Sequence, residues 1–125
     1  MLTDAPIMTT IPVVDADRAK KFYIETLGLS VISESQGGMI LAAGDGTHLL
    51  LYPRGATTAD HTVAAFIVDD VPATVGQLKE KGVTFEEYDF PGLKTVDGIA
   101  DMGGMQEAWF IDTEGNILSV SNRPS

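Results

Sequence analysis

The sequence contains no cysteine, a single tryptophan and only eight lysine and arginine residues among its 125 positions. The absence of cysteine excludes disulfide bonds, thiolate metal ligands and a cysteine nucleophile, and it is compatible with a reducing cytosol. No apolar run approaches the roughly 18 residues that could span a bilayer, and the first residues lack a basic region followed by an apolar run. These absences predict a soluble, cytoplasmic protein without a membrane partner.

Basic residues are scarce beside the eighteen aspartate and glutamate residues, which gives a formal net charge of −10. A chain of this charge repels phosphate backbones and anionic lipids, and it attracts cationic small molecules over about one Debye length. We therefore expect no nucleic-acid partner. The same charge also serves solubility, so that it does not by itself identify a ligand.

The residues that are present form a pattern of short strands and helices that occurs twice. In the first copy, apolar residues recur at helical spacing around Phe22 and Tyr23 until Gly28 ends the helix. The strands around it are separated by glycine-rich turns. The pattern predicts a βαβββ unit of a strand, a helix and three strands at residues 7–14, 16–27, 29–34, 39–43 and 47–52.

The second copy begins 54 residues after the first. This offset superposes Asp15 on Asp69 and Gly28 on Gly82 without a gap, and a strand predicted at 62–68 precedes the second helix. Aspartate is a common residue at the start of a helix and glycine at its end. We therefore expect Asp15 and Asp69 at matching helix starts.

The length and a hydrophobic content of 44% suit one domain that buries a core of its own. We predict a single α+β domain over residues 1–125, with modules at about 7–52 and 62–122. The segment at 53–61 reads as the linker, because its proline, glycine, threonine and aspartate residues follow no apolar period.

The second module carries an insertion near residues 89–106. Its acid–glycine turn at Gly115 lies 69 residues beyond that at Gly46, so the module is longer by 69 minus 54, or fifteen, residues. Long loops in compact domains are often lids or binding loops. We expect one further strand near 95–102, a mobile apex at 103–104 and apolar cover for a binding site.

Three groups of residues carry a family resemblance: Val14-Asp15 with Phe22-Tyr23 and Leu27-Gly28-Leu29, Val68-Asp69-Asp70-Val71 with Gly82-Val83, and the turn from Phe110 to Asn116. In them the chain resembles the vicinal oxygen chelate superfamily, which includes glyoxalase I, extradiol dioxygenases, fosfomycin-resistance enzymes and bleomycin-resistance binding proteins. The turn is similar to the family's Asp-Pro-Asp-Gly-Asn turn, with Thr113 in place of proline. The resemblance implies two tandem βαβββ modules whose curved mixed sheets enclose a cavity, commonly in a homodimer.

The resemblance also implies where a metal ion would bind, on the first and last strands of each module. Counting from the helix starts and turn glycines puts these positions at Met8, Leu50, Val63 and Ser119. A thioether, two alkyl groups and a neutral hydroxyl are poor ligands for the divalent ions that such sites hold. We therefore predict no metal ion and no other cofactor, and we interpret the four residues as ligand-binding positions.

Two histidines keep a metal site open as an alternative. His48 lies two residues before Leu50 and His61 two before Val63, so each shares a strand face with that neighbour if its strand extends so far. Glu107 could supply a third ligand. The other interpretation places both histidines at the rim of the cavity or in solvent.

Trp109 alternates with Ala108 and Phe110 on a predicted strand, so that it lies either in the core or in the cavity as a flat surface for a ligand. Methionines beside glycines adapt their shape to varied ligands. The sequence contains no Gly-x-Ser-x-Gly motif, phosphate loop or dinucleotide fingerprint. The predicted ligand-binding residues are Met8, His48, Leu50, Tyr52, His61, Val63, Phe90, Met102, Met105, Trp109 and Ser119.

Three hypotheses follow for the function. The first is a metal-independent protein that binds an aromatic or cationic small molecule in an apolar cavity, as an antibiotic-sequestering protein of the bleomycin-resistance type does. The second is a metal-dependent lyase, isomerase or dioxygenase that uses His48, His61 and Glu107. The third is metal-free acid–base catalysis, for which the sequence names no catalytic residue.

Overall fold

Each half of the chain folds around its own sheet. The computed structural model describes residues 1–58 and 60–123, and the chain divides into two units, Met1–Ala56 and Thr57–Ser125. Helices are few and short. Helix α2 has ten residues, and within the described part of the chain no helix combines the length and apolar character needed to cross a membrane.

Unit 1 is a four-stranded mixed sheet with one helix. Its order along the chain is β1 (Thr9–Val13), α1 (Ala16–Lys21), β2 (Ser30–Ser35), β3 (Gly38–Ala42) and β4 (His48–Pro53). The sheet order is β1-β4-β3-β2, with β1 parallel to β4 and the other pairs antiparallel. Alternate strand residues are buried, together with Ala19 and Tyr23 of the helical segment. The buried strand residues are Ile11, Val13, Met39, Leu41, Leu49 and Leu51.

Unit 2 is a six-stranded mixed sheet with one helix. Its elements are β5 (Thr62–Ile67), α2 (Val71–Glu80), β6 (Asp89–Phe90), β7 (Leu93–Val96), β8 (Ile99–Met102), β9 (Met105–Ile111) and β10 (Ile117–Ser121). The sheet order is β5-β10-β9-β8-β7-β6, and only the β5–β10 pair is parallel. Helix α2 contacts β9 and β10, and Val71 and Val75 are buried with Phe110 and Leu118.

The predicted α+β class with mixed sheets is confirmed. For most strands, the ends predicted from the alternation of apolar residues lie within two residues of the observed ends. The alternation arises because one face of each sheet is more deeply buried than the other. The predicted first helix is regular only over Ala16–Lys21 and continues as a π-helical turn over Phe22–Thr26.

The prediction that Asp69 matches Asp15 at a helix start is wrong by one residue. The caps are Asp15, whose Oδ1 accepts the Arg18 N–H at 3.0 Å, and Asp70, whose Oδ1 accepts the Ala73 N–H at 3.0 Å. In unit 1 the π-helical turn accommodates one additional residue. This extra residue restores the 54-residue offset at Gly28 and Gly82, both of which have positive φ.

The insertion in the second module is a strand meander instead of one strand and a loop. Strands β6, β7 and β8 extend the sheet beyond β9, and Asp97 and Gly98, both with positive φ, form the β7–β8 turn. Gly103 and Gly104 form the β8–β9 turn, in which the Gly104 N–H donates to Asp101 Oδ1 at 3.1 Å. The apolar residues of the insertion are therefore sheet residues, which the glycine content of the segment had concealed.

Candidate functional site

The sheet of unit 2 has one face against α2 and one face opposite it, which we call the non-helical face. Ala108 and Phe110 on β9 are buried with Val71 and Val75 of α2. Successive side chains of a strand point to opposite faces, so Glu107 and Trp109 lie on the non-helical face. Since Trp109 pairs with Ser119, that serine lies there as well.

Strand register brings most of the predicted ligand-binding residues within the strands of unit 2 to the non-helical face. Met102 pairs with Met105, which alternates with Glu107 and Trp109 along β9. Val63 is the exception, because the β5–β10 register shifts at this residue and the alternation of faces is interrupted there. The shared residues are Phe90, Met102, Met105, Trp109 and Ser119.

Phe90 reaches this face through Tyr88, which the sequence analysis did not identify. Tyr88 donates its N–H to Thr95 Oγ1 at 2.8 Å and accepts the Thr95 N–H at 2.9 Å. Thr95 pairs with Ala100, and Ala100 with Glu107. Tyr88, Thr95, Ala100 and Glu107 therefore form a row across the sheet, and Phe90 lies on the same face two residues from Tyr88.

Tyr88, Phe90 and Trp109 form an aromatic cluster on the non-helical face. The Tyr88 and Trp109 rings contact edge to face, with centroids 5.5 Å apart, and the Tyr88 and Phe90 rings are 5.7 Å apart. Phe90 remains 53% exposed, while Tyr88 and Trp109 are half-buried. The cluster thus presents apolar aromatic surface that no described element of unit 2 fully covers.

The hydroxyl of Tyr88 remains protonated under ordinary conditions. Burial raises the pKa of this phenol above its usual value of 10.0, and the nearby Glu86 carboxylate raises it further. A protonated phenol can donate a hydrogen bond as well as accept one. The aromatic cluster therefore contains a neutral hydrogen-bond donor.

A polar network lies beside Trp109 on the same face. Glu107 is 6% exposed, and its two carboxylate oxygens accept the Ser119 hydroxyl at 2.9 Å and Arg123 Nη2–H at 2.6 Å. Arg123 also donates its backbone N–H and Nε–H to Ser121 Oγ at 3.0 and 3.3 Å. Glu107 is consequently a buried carboxylate whose charge is paired, as burial requires.

Unit 1 has its own non-helical face, opposite the buried Leu49 and Leu51 of β4. His48, Leu50 and Tyr52 alternate with these two leucines and lie on that face. Met8 precedes β1 and His61 precedes β5, so that both lie outside the strands.

The strand register gives the neighbours of the two predicted last-strand positions. Leu50 pairs with Thr10, and Ser119 pairs with Ala65. A neutral hydroxyl and a methyl group are poor ligands for the divalent ions that such sites hold.

The register of unit 2 also separates two of the three alternative metal ligands. His61 adjoins Thr62, which pairs with Ile117, whereas Glu107 pairs with Ser121. Four residues along β10 correspond to about 13 Å. Within either unit, the described residues include no group of three histidine, aspartate or glutamate side chains that could hold a metal ion.

Unit 1 also contains a cleft of about 260 Å³ beside α1. Val13, Met39 and Leu51 contribute apolar surface to it, and Asp17 and Glu34 line it as well. Because these apolar residues belong to the buried face of the sheet, the cleft is distinct from the predicted ligand-binding residues, none of which line it.

Sequence reasoning missed Tyr88, Arg123 and Ser121. Tyr88 stands in the polar run Glu86-Glu87-Tyr88-Asp89, which gives no strand signal, although its two-residue spacing from Phe90 was a usable indication that both share a face. Arg123 follows the last strand, and no spacing rule connects it with Glu107 on β9. Tyr88 reaches the site through its hydrogen bonds with Thr95, Ser121 through its pairing with Glu107, and Arg123 through its ion pair with Glu107.

Comparison with known proteins gives the chain a family. The model of the glyoxalase, bleomycin resistance protein and dioxygenase superfamily matches residues 6–120. The chain is 31% identical over 131 residues to the uncharacterized protein YurT of Bacillus subtilis (strain 168), with 91% of this chain and 95% of YurT covered.

Solved structures of similar fold include a binding protein and an enzyme. TnmS3, an antibiotic binding protein from Streptomyces sp. CB03234, is 26% identical with a TM-score of 0.66, and the match covers 98% of this chain and 99% of TnmS3. Oxidase ChaP-H2 is 26% identical with a TM-score of 0.67, over 96% of this chain and 95% of the oxidase. With the family model matching almost the whole chain, this protein belongs to the glyoxalase, bleomycin resistance protein and dioxygenase superfamily, as its residues predicted.

Proposed function

We propose that this protein binds a planar aromatic small molecule, with a preference for a cationic one, and releases it chemically unchanged. The observation that carries the proposal is the exposed aromatic cluster of Tyr88, Phe90 and Trp109 on the non-helical face of unit 2. The similarity to an antibiotic binding protein supports it. Sequestration of an antibiotic would then be the biological role.

The aromatic cluster suits a stacked ligand because its rings are held before the ligand arrives. The edge-to-face contact between Tyr88 and Trp109 restrains the indole, which reduces the conformational entropy that binding would otherwise cost. Stacking on an aromatic ring contributes about 1 kcal/mol beyond the burial of apolar area, and a cation over the ring contributes a similar amount. A net charge of −10 favours the encounter with a cationic ligand.

The polar groups of the face suit an aromatic ligand that carries oxygen substituents. Glu107 is paired with Arg123 and Ser119, so that its charge is compensated. The Tyr88 hydroxyl, whose pKa is raised by burial, can donate to a carbonyl or phenol oxygen. A few polar groups within an apolar surface are typical of small-molecule sites.

We propose binding without turnover because the side chains at the family's metal-ligand positions lack the groups that coordinate a divalent ion. Leu50 and Val63 offer no lone pairs, and Ser119 donates its hydroxyl to Glu107. Glu107 could serve as a general base only after losing its contacts with Arg123 and Ser119. These facts favour a binding surface over a catalytic centre.

Fluorescence tests this proposal directly, since Trp109 is the single tryptophan. Titration with planar aromatic antibiotics and with cationic glycopeptides should change its emission saturably for at least one planar aromatic compound. Mass spectrometry of the ligand after prolonged incubation should recover it unmodified. A panel in which no compound perturbs Trp109, or in which the ligand is converted with turnover, would refute the proposal.

The alternative function is an enzyme, which the similarity to Oxidase ChaP-H2 and the buried carboxylate of Glu107 on the same face both favour. Elemental analysis of purified protein separates the two functions. The binding proposal expects only traces of zinc, nickel, iron and manganese. One ion per chain that is lost in His48→Ala, His61→Ala or Glu107→Gln would instead establish the metal-dependent enzyme.

A further inference from the structure

We propose that the cleft in unit 1 is a second small-molecule site, which binds a short ammonium ion with a compact apolar body. The cleft has a volume of about 260 Å³ and lies between α1, β3 and the ends of β1 and β4. Its apolar lining consists of Ala16 and Pro53, which are exposed, and of Val13, Met39 and Leu51, which lie beneath the surface of the cleft and are almost fully buried. The cleft does not depend on the aromatic cluster, because all of its lining residues belong to unit 1.

The volume of the cleft limits the size of its ligand. Pockets for drug-sized ligands measure about 300–1,000 Å³, and this cleft falls just below that range. A ligand of about ten non-hydrogen atoms is therefore the expected size. Such a molecule can place a cyclic or branched alkyl group against Ala16 and Pro53, above the buried Val13, Met39 and Leu51.

The charges around the cleft select a cation. Lys20 Nζ and Glu34 Oε1 form an ion pair of 2.6 Å at the edge of the cleft, so that these two charges compensate each other. Asp17 also lines the cleft, and among the described residues no hydrogen bond or ion pair engages its carboxylate. With Asp17, Glu34 and Lys20, the lining carries a net charge of −1, and an ammonium group can pair with the exposed Asp17 carboxylate.

The wall of the cleft is preformed. Ser35 Oγ accepts the Gly37 N–H at 3.2 Å and donates to the Gly38 carbonyl at 3.4 Å, which closes the β2–β3 turn. Gly38 has a φ of +141°, and a Cβ atom there would lie 2.5 Å from the Leu51 carbonyl oxygen. The close approach of β3 to β4 at this point requires glycine, so the cleft is part of the fold.

The test uses cyclohexylmethylamine as a non-aromatic probe and ¹³C-methyl NMR of the full chain. Saturable shifts are expected at the methyl groups of Val13, Met39 and Leu51, while the emission of Trp109 stays unchanged. Asp17→Asn should weaken binding about fivefold, since a partly exposed charge-assisted contact is lost. Ala16→Leu should abolish binding, because it places a larger side chain in the cleft.

Matched controls separate charge from shape. Asp45→Asn removes a carboxylate of unit 1 that does not line the cleft, and it should leave the affinity unchanged. Cyclohexylmethanol, which has the same shape without charge, should bind at least fivefold more weakly than the amine. The proposal is overturned if the amine shifts none of the three methyl groups, or if the alcohol and the amine bind equally well. Either outcome leaves the proposed function of the aromatic cluster intact.

Discussion

Individual residues on the non-helical face of unit 2 divide into two groups with different roles. Trp109 and Phe90 provide aromatic surface, whereas Glu107, Ser119 and Arg123 form a closed polar network. Burial of Glu107 is compatible with folding only because both of its carboxylate oxygens are occupied. Tyr88 combines the properties of the two groups, since it is an aromatic residue with a neutral hydroxyl.

Tyr88 gives a prediction for alkaline pH. Its pKa is raised above 10.0 in the folded chain by burial and then by Glu86, so the folded state holds this proton more tightly than the unfolded state. Below about pH 10 the phenol is protonated in both states, so that its titration does not change the free energy of unfolding. As the pH rises beyond that, the unfolded chain loses the proton first, and the free energy of unfolding falls.

Denaturant unfolding at a series of pH values, with absorbance at 295 nm, measures this effect. Tyr88→Phe should lose less stability than the parent above about pH 10, and the substitution should delete one phenolate component whose midpoint lies above the usual value of 10.0. Tyr52→Phe, in unit 1, provides the reference for the loss of one tyrosine chromophore. Parallel stability curves for the parent and Tyr88→Phe would contradict the environment described for this phenol.

At the scale of elements, each unit leads from its first strand into a helix capped by an aspartate. The number of residues between the end of the strand and the cap differs. Asp15 caps α1 two residues after β1 ends, whereas Asp70 caps α2 three residues after β5 ends. The π-helical turn at Phe22–Thr26 compensates for this difference before Gly28. The assignment of the caps can be tested by mutation, because Asp69 and Asp70 are adjacent.

The cap assignment predicts unequal effects for two neighbouring substitutions. Asp70→Ala removes the acceptor of the Ala73 N–H and should lower the free energy of unfolding by about 1 kcal/mol. Asp69→Ala removes an exposed carboxylate that makes no cap and should change it by less than about 0.5 kcal/mol. Chemical denaturation of both variants measures the difference. Equal losses, or a larger loss for Asp69→Ala, would show that the cap has been misassigned.

The β7–β8 turn gives a second pair of substitutions. A Cβ atom at Gly98, where φ is +83°, would lie 2.8 Å from Phe85 Cβ, whereas one at Gly103, where φ is +74°, meets nothing within 4 Å. Gly98→Ala should therefore cost about 2–4 kcal/mol, against about 1 kcal/mol for Gly103→Ala. Thermal and denaturant unfolding measure both. Similar costs would mean that Gly98 is needed for its dihedral angle alone.

The sequence predicted the elements better than it predicted their connections. Alternation predicted most of the strands, because a half-buried sheet imposes a period of two residues, but it left the face of Trp109 open between core and cavity. The π-helical turn left no mark, since one wider turn hardly alters helical periodicity. Adjacent acids at Asp69 and Asp70 made the cap ambiguous. The meander in 89–102 was hidden because its glycines suit a loop equally well.

For the whole molecule, family membership and charge set the expectations for binding. The superfamily match covers residues 6–120 and thus both units. The net charge of −10 predicts that affinity for a cationic aromatic ligand falls as salt concentration rises. An uncharged ligand of the same shape should show little salt dependence.

The oligomeric state belongs to the same scale. We propose a homodimer, as the family resemblance implies, because two chains of 13.3 kDa can build binding cavities by pairing across a symmetric interface. Light scattering at tens of micromolar should give about twice the mass of the chain. A monomeric mass over that concentration range would contradict this expectation without affecting the fold of either unit.

The most direct test of the proposed function is a calorimetric comparison with one planar aromatic ligand selected by the fluorescence titration. The parent protein, Trp109→Leu and Phe22→Leu should be measured in the same buffer. Phe22→Leu is the matched control, because it removes an aromatic ring of unit 1 that contacts Tyr23 with centroids 5.5 Å apart. We expect Trp109→Leu to weaken binding at least tenfold, or about 1.4 kcal/mol, through lost stacking and apolar contact. Phe22→Leu should bind as the parent does. If Trp109→Leu binds within about twofold of the parent, the aromatic cluster is not the ligand site and the proposed function is wrong.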